Sequence, residues 1–282
     1  MERTGRGMTA RPGPDGAAGG GTSRADLMRQ WSRTEVLLVV VLLALAATAW
    51  VLTSRLATAD MRIGVLTGGP AMSEMDVAMR PWPWEAALFL GVWVVMMAAM
   101  MLPSIVPFSL GMRRLLRSRG VRGDGLFVGY FVVWAAAGTA AFAFVRGLET
   151  VVTGPSLTAV RVGGMVLLVA GVYQLTPLKR VCLRHCRSPM ALLLEHSKTA
   201  LHGRFGVLRV GLSHGAYCLG CCWALMAVLV AAGMMNLVWM AVFAVVVALE
   251  KVTRHGELVS RVVGGLLIVT AIVLLAHPAL LT

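Results

Sequence analysis

Seven runs of apolar residues, most of them near the length of one bilayer crossing, constrain this chain more than any other feature. They are Val36–Leu52, Trp84–Pro107, Leu126–Val145, Arg161–Thr176, Gly206–Ala232, Met235–Leu249 and Val262–Leu281. A helix needs about 20 residues to cross the hydrocarbon layer. The fourth run is short by that test and the fifth long, differences that tilt can absorb. Of the 282 residues, 58% are hydrophobic and 14% charged, against roughly 25% charged in a soluble domain. So apolar a chain cannot cover itself with polar surface in water, which excludes a soluble globular fold. The expectation is an all-α polytopic transmembrane helical bundle of seven spans, a single domain over 36–282.

Lys and Arg decide the orientation. Twenty-one of the 26 fall in the N-terminal tail and alternate loops, and five in the opposite loops. This asymmetry places the N-terminus in the cytoplasm and the C-terminus outside, in a bacterial inner membrane. The net charge of +13 does not indicate nucleic acid, because the basic residues occupy short loops rather than one face; anionic headgroups are their natural partners. Residues 1–35, rich in Gly and Arg, read as a disordered cytoplasmic tail. The segment near 189–204, with Glu195, His196, Lys198 and His202 among Leu, Ala and Met, reads as an interfacial helix. Glu250 and Lys251 close the sixth span and read as a solvated helix end, with an interfacial pair as the alternative.

Sulfur marks the candidate site. The second run contains WVVMMAAMMLPSIVP, with Met96 above Met100 and Met97 above Met101. On a helix these four cover an arc of roughly 140°, so two or three of them can share an ion. Pro103 and Pro107 should bend or end that helix. The fifth run contains GLSHGAYCLGCCWALM. Here His214, Cys218, Cys221 and Cys222 fall within an arc of roughly 100°, giving one helix three thiols and an imidazole on a single face. Gly211, Gly215 and Gly220 leave room for a neighbouring helix. Both clusters are expected at mid-span. A third cluster, Cys182 and Cys186 in CLRHC, lies in a cytoplasmic loop where it can capture metal. An exposed or lipidated thiol pair is the alternative there. Thiolate and thioether ligands select Cu(I). Zinc accepts Cys and His but leaves the methionines unexplained. Methionine and buried cysteine also serve as plain apolar filler, which is the competing reading of each cluster.

Three motifs in this order, WVVMMAAMMLPS, YQLTPLKRVCLRHCRSP and GAYCLGCCWALM followed by GMMNLVWM and EK, resemble the bacterial family of predicted metal-binding integral membrane proteins catalogued as domain of unknown function 2182. The resemblance covers roughly residues 84–252. It implies metal binding and no particular reaction.

Three functions are compatible with these residues. The first is binding of copper, as Cu(I), for transport or metal handling. The second is thiol–disulfide redox chemistry at the C-x-x-C of Cys218 and Cys221. The third is a role as an assembly subunit, within a larger membrane complex or a homo-oligomer. No ATP-binding loop, His-Glu-x-x-His motif or nucleophile–base motif is present, so hydrolytic chemistry has little to support it and a non-enzymatic role is the expectation.

Overall fold

The computed structural model describes residues 32–56, 82–117, 120, 123–149, 157–187, 203–233 and 236–278. Among these it holds eight α-helices and no strand. They are α1 (Arg33–Leu56), α2 (Trp82–Arg117), α3 (Asp124–Glu149), α4 (Leu157–Leu175), α5 (Pro177–Arg187), α6 (Gly203–Gly233), α7 (Leu237–Val252) and α8 (Gly256–Ala276). Six of them, α1, α2, α3, α4, α6 and α8, are long and apolar enough to cross a membrane. The sixth apolar run forms α7, whose 16 residues span about 24 Å at 1.5 Å each, short of the hydrocarbon thickness. The expected interfacial helix near 189–204 and the tail up to residue 31 lie outside the described residues.

The chain divides into two compact units, Met1–Leu37 and Leu38–Thr282. In the first, Ser32 and Glu35 cap the start of α1 reciprocally. The Glu35 N–H donates to Ser32 Oγ at 3.3 Å, and the Ser32 N–H donates to the Glu35 carboxylate at 3.2 Å. The second unit holds the rest of α1 and everything from α2 to α8.

Two prolines fail to stop α2, which runs 36 residues through Pro103 and Pro107. Pro103 has no N–H for the carbonyl of Ala99 four residues back. That carbonyl instead accepts the indole N–H of Trp50 on α1, at 3.1 Å. An outside donor replaces the lost bond, and the helix continues where an end was one of the two expectations. At the α4–α5 junction the opposite happens. Thr176 caps α5, accepting the Lys179 N–H at 3.3 Å, and Pro177 takes the first helical position, where a missing N–H costs nothing.

Helix α6 is the hub, packing against α3, α4, α5 and α7, while α4 pairs with α8 and α2 with both α3 and α7. Between α3 and α6 the backbones nearly touch. A β-carbon at Gly211 would collide with the Leu126 carbonyl, and one at Gly129 with the Leu208 carbonyl. Among apolar helices in an apolar solvent, such close approach is a main source of association energy. Away from the hub, Val128 and Val132 on α3, Met165 and Val169 on α4, and Leu258, Val262, Leu266 and Val269 on α8 all point outward.

A buried ionic network ties four helices together at one end. Lys179 on α5 donates to both carboxylate oxygens of Glu250 on α7, at 2.9 and 2.8 Å, and also to the Gln174 side-chain oxygen on α4. The Gln174 amide donates to Glu250 at 3.2 Å, and the Ser260 hydroxyl on α8 donates to the Gln174 backbone carbonyl at 3.0 Å. Lys179 and Glu250 are each 1% exposed. Glu250 is therefore neither solvated nor paired with its neighbour Lys251. Successive residues point about 100° apart on a helix, so the two turn to different partners.

Two outcomes test this architecture by thermal unfolding in detergent. Gly211→Ala should cost about 1–3 kcal/mol through overpacking. Gly91→Ala, where nothing lies within 4 Å of the new methyl, should leave the midpoint unchanged or slightly higher. Glu250→Ala should cost about 3–5 kcal/mol by stranding Lys179, and Lys179→Met combined with Glu250→Met should recover most of that loss.

Candidate metal centre

Helical spacing on α6 aligns the donors, and packing decides what they meet. Cys218, Cys221 and Cys222 are all buried, at 1–2% exposure. The Cys221 and Cys222 thiols turn back onto their own helix and donate to the Cys218 carbonyl, at 3.1 and 3.0 Å. Cys218 Sγ faces outward from the helix into a junction of helices. Tyr130 Oη on α3 lies 3.1 Å from it, and Lys251 Nζ on α7 also lies 3.1 Å from it.

The same ammonium reaches α2, contacting Met101 Sδ at 3.4 Å and Ser104 Oγ at 3.3 Å. One nitrogen thus bridges a thiol of α6 and a thioether of α2. The two sulfur-rich helices do converge, at Met101 and Cys218. Met96, Met97 and Met100 are also buried, at 0–5% exposure, on the same helix.

The α5 cysteines belong to the same junction. Cys186 stands on α5 against α6, where Cys218 and Cys221 act on its thiol. Donation of its proton toward them, together with burial, pushes the Cys186 thiol well above its ordinary range. Cys182 packs over Gly220, where a β-carbon would come within 2.8 Å of its sulfur; burial and the neighbouring Cys221 raise its thiol as well. Both are half-buried and packed against the core, so they are not a freely exposed pair. All five cysteines are unbridged and follow the α5–α6 interface.

His214 sits one turn before Cys218, is 5% exposed and stacks on Phe108 with ring centroids 4.1 Å apart. Its Nδ1 is buried without a hydrogen-bond partner among the described residues. A buried imidazole nitrogen with nothing to bond is costly, and an incoming cation would satisfy it. Among the described residues, no three His, Cys, Asp or Glu side chains converge closely enough to hold a metal as they stand. The donor set nevertheless fits a soft monovalent ion: thiols, a thioether and an imidazole, with no carboxylate among them. Rotation of Cys221 or Cys222 off the Cys218 carbonyl would bring another sulfur inward.

On their own helices, α2 and α6, Met101 and Cys218 lie near the middle. Lys251 lies in the last turn of α7 and Gln174 in that of α4, so the junction lies level with these helix ends. Helices α2 and α6 overshoot it, their 36 and 31 residues covering about 54 and 46 Å. Lys251, Tyr130 and Ser104 are the neighbours that residue spacing missed. The only sequence signal was a lysine ending an apolar run, a position where charge is rarely neutral to function.

The copper chaperone family (PpoB2) matches residues 90–274, about two thirds of the chain, which therefore belongs to that family. The match includes all three sulfur clusters. No curated protein and no solved structure matches the chain.

The α5–α6 contact is open to a direct check. In a variant retaining only Cys186 and Cys218, mild oxidation should form an intramolecular disulfide, read by intact mass and peptide mapping. One retaining only Cys182 and Cys218 should cross-link much more slowly. Equal rates would contradict the placement of Cys186.

Proposed function

We propose that this member of the copper chaperone family is a multi-pass protein of the bacterial inner membrane that binds Cu(I) as cargo. Helix α7 is counted as a short seventh crossing, with the N-terminus cytoplasmic and the C-terminus outside. The 21-to-5 distribution of Lys and Arg supports that orientation. It puts the α5 helix, with Lys179, Arg180 and Arg184, on the cytoplasmic side.

In this reading Cys182 and Cys186 take the ion at the inner surface. Cys218, Cys221, Cys222, His214 and Met101 hold it. Met96, Met97 and Met100 are further thioethers along α2, one turn or more from Met101. The observation that carries the reading is the meeting of Cys218 from α6 and Met101 from α2 at one shared nitrogen. Ligands of similar softness from three helices allow stepwise exchange of an ion without a bare intermediate. Each thiol that takes up copper releases its proton. Binding to a membrane-embedded site and passing the ion to a partner both fit a family described as copper chaperones.

Thiol–disulfide chemistry at Cys218 and Cys221 has less support. The Cys221 thiol donates to the Cys218 carbonyl.

Anaerobic titration of the detergent-purified protein against a chromophoric Cu(I) chelator tests the proposal. At least one tightly held equivalent is expected. Cys218→Ser should weaken it by about a hundredfold, near 2.8 kcal/mol, and Met101→Leu by less. Wild-type protein that leaves all copper on the chelator would reject the reading.

A further inference from the structure

We propose that Lys251 is a built-in competitor for the cargo ion: its ammonium occupies the gap between Met101 and Cys218, and copper enters only as that side chain withdraws. The inference rests on the copper reading above and adds how the ion is let go.

The acceptors make the case. A buried ammonium normally seeks oxygen, above all carboxylate. Lys251 Nζ instead has Cys218 Sγ at 3.1 Å, Met101 Sδ at 3.4 Å and a single hydroxyl, Ser104 Oγ, at 3.3 Å. The adjacent carboxylate of Glu250 is engaged by Lys179 through both of its oxygens. Two of the three groups around Lys251 are thus soft sulfur atoms, which a Cu(I) ion would prefer and which serve an ammonium poorly. An ion bound to both sulfurs would lie in the space the nitrogen now fills.

Withdrawal has a route. Lys251 is in the last turn of α7 and half-buried, and its neighbours Val252 and Arg254 are exposed. A four-carbon stem at a helix end can carry its charge out to water. The charges can be followed through the exchange. The ammonium moves out to water, Cu(I) arrives, and the Cys218 thiol gives up its proton to solvent as it binds, so a neutral copper thiolate replaces an ammonium beside a neutral thiol. A permanently tethered competitor lowers affinity and supplies a ready replacement when the ion departs, which suits a protein that must release what it binds.

The test uses the full chain in detergent, with Cu(I) as the probe under anaerobic chelator competition. Lys251→Leu removes the competitor without adding a copper ligand, and should bind Cu(I) about tenfold tighter or more. A Leu variant with wild-type elution and helix content whose affinity is unchanged or weaker overturns the proposal, since a merely structural lysine could only lose affinity on removal. Lys251→Arg keeps a bulkier cation in place and should bind about tenfold weaker. If the Leu variant does not fold, this second variant decides, and unchanged affinity counts against the proposal. In the wild type, Cu(I) loading should raise labelling of Lys251 by an amine-reactive reagent, read by peptide mass; protection on loading would overturn it. Wild-type protein that binds no copper defeats the functional reading itself. Wild-type binding with no gain in Lys251→Leu defeats only this inference.

Discussion

A lysine and a glutamate withdrawn from water are tolerable only when each finds a partner, and the pairing of Lys179 with Glu250 organises one end of this bundle. The pair, with Gln174 and Ser260, pins the ends of α4 and α7 to the starts of α5 and α8. Because Glu250 is committed to Lys179, its neighbour Lys251 must look elsewhere, and it turns to the sulfur junction. Because Lys179 is fixed, the rest of α5 lies along α6, which brings Cys182 and Cys186 onto Gly220 and Cys218. The ionic network therefore sets the geometry of the donor set without contributing a ligand to it.

Close backbone contact does the complementary work on the other side of α6. Gly129 and Gly211 let α3 and α6 approach without intervening side chains, and that approach sets Tyr130 on Cys218. With α2 running on through its prolines, Met101 arrives at the same point from a third direction. The result is a buried, carboxylate-free pocket wall of thiols, a thioether and an imidazole with an unsatisfied nitrogen. Under the proposed copper reading, such a set of donors favours a monovalent, polarizable ion over hard divalent ones.

Several features were legible in the residues because they depend on periodicity alone. The apolar runs read as helices, and they are. His214, Cys218, Cys221 and Cys222 were placed on one helical face, and their shared burial agrees with that. Where reading failed, a distant partner intervened. Pro103 does not break α2, because Trp50, far away in sequence, replaces the lost donor. Glu250 and Lys251, ordinary as the end of an apolar run, are separated by a lysine 71 residues from Glu250.

What the amino-acid sequence determined by itself is the helical, strongly apolar character of the chain and the chemistry of its donors. Helix periodicity and side-chain identity are local properties, written within a few residues of each other. Which donors meet, and what stands among them, was decided by tertiary structure. Contacts between helices depend on close approach at glycines and on buried charge pairing across tens of residues, and neither leaves a trace in local spacing. A lysine among sulfurs is visible only once five helices have packed around one cysteine.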